Sequence, residues 1–97
     1  MSLDFNDLEK SASIFVSKKR YLDAIKIYLH MAHGDPSLDA GYLGFKIGEC
    51  YEKSGDLHAA KYWYGRAVEE NPEIDAYTSA RDKLSHININ NLIDSIK

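Results

Sequence analysis

Residues 41–74 read GYLGFKIGECYEKSGDLHAAKYWYGRAVEENPEI, and their spacing decides the fold. Leu43, Ile47, Cys50 and Tyr51 recur at helical spacing and gather on one face. The run stops at Ser54-Gly55-Asp56. There Gly55 reads as the residue that ends a helix in a left-handed conformation, and Asp56 as the N-cap of the next. That next helix carries Leu57, Ala60, Tyr64, Ala67 and Val68. It ends ahead of Asn71-Pro72, because proline cannot continue a helix.

Working outward, Phe5, Leu8, Ala12 and Phe15 predict a first helix. Tyr21, Ala24, Ile25, Tyr28, Leu29 and Ala32 predict a second, which stops at Gly34 and Pro36. Downstream, Tyr77, Ala80, Leu84 and Ile87 predict a fifth, and Leu92, Ile93 and Ile96 one further short helical piece. No stretch shows sustained apolar-polar alternation rich in β-branched residues, so the chain is expected to be all-α. The helices also repeat. Ala24, Tyr28 and Pro36 are matched by Ala60, Tyr64 and Pro72, each 36 positions later, and Ala12 and Phe15 by Gly48 and Tyr51. Repetition at one period means stacked helix pairs.

These residues resemble the tetratricopeptide repeat family, whose unit is a helix pair patterned W-x2-L-G-x2-Y, A-x3-F, P. Ile47-Gly48 stands for Leu-Gly, Tyr51 for Tyr, Ala60 for Ala, Tyr64 for Phe, and Pro72 closes the unit. The first repeat keeps Leu8, Ala12, Phe15, Ala24, Tyr28 and Pro36, has Ser11-Ala12 in place of Leu-Gly, and carries a longer linker within Pro36–Ala40. Ala60 to Ala67, with Trp63-Tyr64 inside it, also has some Sel1-like character. The resemblance implies one domain over 1–97, with repeat 1 at about 5–38, repeat 2 at about 41–74, and a cap and tail over 75–97. The expected architecture is two helix-turn-helix repeats plus a C-terminal capping helix in a right-handed solenoid. In the cap, Tyr77, Ala80 and Leu84 would lie on repeat 2 while Arg81, Asp82 and Lys83 face water. Small residues at Gly48 and Ala60 let paired helices approach, and leucine at either should cost about 1–3 kcal/mol.

In this family the first helix of each pair lines a concave groove for peptides or helices of partner proteins. By that resemblance the groove here comprises Tyr42, Phe45, Glu49, Glu52 and Lys53 from the second repeat, Glu9, Ser13 and Val16 from the first, and Ser79 and Lys83 from the cap. Tyr42 and Phe45 carry two readings, anchors for a partner's apolar side chains or cover for the seam between repeats. A carboxylate-clamping groove is not expected, because Ser13 and Glu49 stand where Asn or Lys would help.

Other chemistry is set aside. Net charge −3 is the wrong sign for neutralising phosphates, and Lys18-Lys19-Arg20 falls where a helix dipole favours cations, so no nucleic acid is expected. His30 and His33 make two ligands where a metal needs three or four. Cys50 is a lone thiol without a catalytic partner, and Gly41, Gly44 and Gly48 lack the strand and Lys-Ser/Thr of a phosphate loop. No apolar run approaches the roughly 18 residues of a membrane span, and the N-terminus has no signal-peptide pattern. The expectation is a cytoplasmic, non-catalytic adaptor, scaffold or co-chaperone without cofactor or metal, binding a protein or peptide partner. A small inhibitor or immunity-type protein that blocks one enzyme is the alternative, and homodimerisation through the tail is a further expectation.

Overall fold

The computed structural model describes residues 5–34 and 40–85. Five helices occupy most of them: α1 (Phe5–Ser17), α2 (Tyr21–Gly34), α3 (Ala40–Ser54), α4 (Leu57–Glu70) and α5 (Asp75–Lys83). Among the described residues there is no strand, and the fold is all-α. The Pro36 linker and the Leu92, Ile93 and Ile96 tail, to which a short helix and dimerisation were assigned, lie outside the described residues. The fifth helix stops at Lys83, with Leu84 and Ser85 in a turn.

The turn after α3 shows why the chain reverses where it does. Gly55 has φ 95, its N–H donates to Glu52 O at 3.1 Å, and Asp56 N–H reaches back to Tyr51 O at 3.0 Å. This pair of bonds is the Schellman closure, which uses carbonyls that the helix end leaves unpaired. Asp56 then turns to the next helix, accepting from Ala59 N–H at 3.1 Å as its N-cap. The turn after α1 repeats the closure with Lys19 in the glycine's place. Lys19 has φ 61; Lys19 N–H donates to Val16 O at 2.9 Å and Arg20 N–H to Phe15 O at 2.8 Å. A lysine there bears a steric cost that glycine avoids.

The 36-residue repetition carries into the fold. Tyr21–Gly34 and Leu57–Glu70 begin and end at equivalent positions. Ala24 and Ala60, Tyr28 and Tyr64, and Met31 and Ala67 are all buried. Each helix packs on its neighbours in the chain, most extensively α3 on α4. One core joins Ala12, Ala24, Ile25, Tyr28 and Met31 to Leu43, Ile47 and Cys50, so α3 completes the first helix pair. A smaller one joins Ala60 and Tyr64 to Leu84, with Phe45, Leu57 and Ala80 against it. Tyr51 touches both. Tyr77 and Leu84 are buried and Ala80 is half-buried.

Close approach of α3 and α4 depends on Gly48. A β-carbon there would stand 2.6 Å from Tyr64 Cδ1 and 3.3 Å from the Ala60 carbonyl oxygen. Carbon atoms rest at about 3.5–4.0 Å, so only the missing side chain lets the ring come this close to the helix.

Candidate functional site

Four of the expected groove residues come together. Ser13 and Val16 of α1 and Glu49 and Lys53 of α3 line one depression of about 120 Å³, floored by Tyr28 and Cys50 and flanked by Lys46. Helical spacing explains the set: positions 13 and 16 share a face of α1, and 46, 49, 50 and 53 a face of α3.

The remaining predicted residues, Ser79 apart, serve contacts within the chain. Tyr42 donates its hydroxyl hydrogen bond to the Glu9 carboxylate, which ties α3 to α1. Lys46 Nζ sits 5.5 Å from the Tyr42 ring centre and 3.6 Å from Glu49 Oε1. Phe45 lies 5.6 Å from the Tyr64 ring and 4.9 Å from that of Tyr77, centre to centre. Of the two roles weighed for Phe45, its contacts are those of the seam, closing α3 against α4 and α5. Glu52 accepts from the Tyr64 hydroxyl at 2.7 Å and pairs with Lys83 Nζ at 2.8 Å. Lys83 is exposed, as expected, and also reaches across to α3 through this pair. Ser79 is exposed on α5 and lines none of this depression.

The face is thus a comb of alternating charge, Glu9, Glu49 and Glu52 against Lys46, Lys53 and Lys83. Tyr28, Tyr42, Cys50, Glu52 and Tyr64, on or beneath it, titrate further from neutral pH than free side chains do. Burial pushes the Tyr42 and Tyr64 hydroxyls above the usual phenol range, and the carboxylates of Glu9 and Glu52 add to it. Burial likewise raises Tyr28, with the hydrogen bond to Ser13 opposing. The Cys50 thiol is pushed up to about 11, chiefly by burial, with Lys53 opposing. Burial favours the neutral form of Glu52, but hydrogen bonds from Lys83 and Tyr64 outweigh it, and its carboxyl titrates below the usual range. General acid–base catalysis works best near the operating pH, and these groups are moved the other way. They suit a rigid hydrogen-bonding surface.

His30 and His33 are exposed on the last turns of α2, and no cluster of three His, Cys, Asp or Glu suited to a metal occurs among the described residues. No helix among them is long and apolar enough to cross a membrane.

Sequence reasoning missed Lys46 and Tyr28 in the depression, although the i,i+3 spacing of Lys46 and Glu49 was a readable signal. It also passed over the outward face of α4. Tyr62, exposed at 59%, stands edge-on to Trp63 there, with ring centres 5.5 Å apart. Gly65 interrupts the same face, and a β-carbon on it would meet nothing within 4 Å. Glycine inside a helix costs about 1 kcal/mol relative to alanine, and no contact among the described residues accounts for that cost.

No family model, curated protein or solved structure matches this chain.

Proposed function

We propose that this chain is a non-catalytic protein-interaction module of the tetratricopeptide-repeat kind. In this reading its helix pairs stack as a right-handed solenoid capped by α5, and the α1–α3 face receives a peptide or helix of a partner protein. The observation that carries the reading is the depression formed by Ser13, Val16, Glu49 and Lys53 on helices that repeat in register. Repeat proteins bind through the surface that their first helices share, and the side chains there face solvent while the packing residues do not.

The chemistry of the face selects its ligand. Val16 and the Tyr28 floor offer apolar contact, while Lys46, Glu49 and Lys53 offer charges of both signs a few ångströms apart. A single free carboxylate would meet Glu49 as well as the lysines, so a segment carrying both signs around an apolar residue fits best.

The test is affinity capture with the intact chain, followed by mass spectrometry. The control is a Ser13→Glu/Glu49→Lys variant that keeps the wild-type circular dichroism spectrum. One enriched protein lost with the variant, and then bound in purified form, supports the reading. An unchanged partner list refutes this face as the binding surface. Tyr42 and Phe45 are poor choices for the test, because altering them disturbs the Glu9 tie and the Tyr64–Tyr77 seam.

A further inference from the structure

The outward face of α4 holds a second surface that neither the helix packing nor the α1–α3 depression uses. His58, Tyr62, Gly65, Arg66 and Glu69 follow one another there, and Arg81 of α5 borders the same open trough of about 660 Å³. Three features set it apart. A β-carbon would meet Tyr64 at 2.6 Å on Gly48 and would touch α4 at 3.5 Å on Gly44, whereas on Gly65 it would meet nothing within 4 Å, so the notch Gly65 leaves opens outward. The Arg66 guanidinium lies over two rings, 6.0 Å from the centre of Tyr62 and 5.4 Å from that of Trp63. Among the described residues no carboxylate pairs with Arg66, while Arg20, Lys46, Arg81 and Lys83 all have one.

A guanidinium beside two aromatic rings, with no carboxylate on it among the described residues, has N–H groups to offer, which suits two-point contact with a carboxylate. The notch beside it admits a side chain almost to the helix backbone, against the Tyr62 ring. The chain as a whole carries −3, so a cationic and aromatic patch on it is a local reversal of charge that an acidic ligand complements. Lys61, Arg66 and Arg81 supply its cations, and Glu69 in its lining and Asp82 on Arg81 interrupt the run that a nucleic-acid backbone would need.

We propose that this face of α4 docks an acidic segment of a partner protein. One carboxylate of that segment rests on Arg66, and a neighbouring apolar side chain is seated over Gly65 against Tyr62. The surface is separate from the α1–α3 face and does not depend on it.

The probe is a fluorescein-labelled dodecapeptide alternating glutamate with leucine and phenylalanine, titrated by anisotropy with the full 97-residue chain. Beside it run the glutamine counterpart and a single-stranded RNA dodecamer. The glutamate peptide should bind about tenfold tighter than the glutamine one, and Arg66→Gln should remove about that factor. Gly65→Ala should raise the melting temperature while weakening the peptide, a combination that loss of structure does not produce. Glu49→Gln, in the other face, should leave the affinity unchanged.

Absence of binding overturns the proposal, as does equal binding of the glutamine peptide or equal affinity in Gly65→Ala and Arg66→Gln. Tighter binding of the RNA would overturn it in favour of nucleic acid. Self-association in sedimentation that Gly65→Ala abolishes, and that the peptide does not compete, would assign the face to a second copy of the chain.

Discussion

Replacing Gly48 by alanine should destabilise the protein, although alanine is the better helix former. The two effects oppose each other and their sizes decide the sign. Relief of glycine's backbone entropy in mid-helix stabilises by about 1 kcal/mol. Against it, the new methyl would stand 2.6 and 2.7 Å from two ring carbons of Tyr64, and such overpacking costs about 1–3 kcal/mol. The ring cannot swing aside cheaply. It is 1% exposed, its hydroxyl is held by Glu52 at 2.7 Å, and Phe45 lies against it. The upper part of the overpacking range therefore applies, and the net loss is about 1–2 kcal/mol. In a domain of this size that is a fall in Tm of roughly 4–8 °C per kcal/mol.

Urea unfolding at pH 7, followed by circular dichroism, measures the effect, with Gly65→Ala as the matched control. There the methyl enters open space, so only the helix term acts and stability should rise by about 0.5–1 kcal/mol. The two alanines thus move in opposite directions. Tyr64→Leu should absorb much of the Gly48→Ala penalty, which a double-mutant cycle reads as coupling between the sites. If Gly48→Ala is as stable as wild type, Tyr64 does not limit the approach of α3 and α4, and the reasoning fails.

Lys19, in the left-handed conformation that Gly55 occupies in the equivalent turn, should gain from Lys19→Gly by about 1 kcal/mol in the same assay. Glu52→Gln should cost about 0.5–1 kcal/mol at pH 7 by releasing Lys83. Because the folded-state carboxyl titrates below its unfolded value, that contribution is present above the unfolded pKa and is lost as pH falls through the folded one. Wild type and variant should therefore converge in acid, and a gap that persists or widens there would contradict the Lys83–Glu52 pairing. The Cys50 thiol, 2% exposed and raised to about 11, should react with iodoacetamide at pH 8 on the order of 100-fold more slowly in the native protein than in urea; equal rates would place it at the surface.

The helices, their turns and their pairing were legible because they rest on local rules. Ser54-Gly55-Asp56 ends one helix and starts the next through hydrogen bonds that span at most five residues. The correspondence of Ala24 with Ala60 and of Tyr28 with Tyr64 was likewise visible as spacing, and all four are buried. Lys19 was legible only as charge. Its left-handed backbone belongs to the turn that closes α1, and nothing in a lysine announces it.

The surface was different, since a side chain's role there depends on what lies across from it. Phe45 and Tyr42 look alike as aromatics on one helix. Yet Phe45 meets Tyr64 and Tyr77 from two other helices, and Tyr42 meets Glu9, 33 positions away. Lys83 is a solvated charge, as its position suggests, but only the fold shows that it also pairs with Glu52. Gly48 and Gly65 are both glycines within helices, and only the neighbouring helix distinguishes them, by filling the space beside one and leaving the other open. Periodicity determines which residues face inward along a helix. Which outward residues are used up by a neighbour, and which remain for a partner, was decided by tertiary packing, because that depends on distances between segments far apart in the chain.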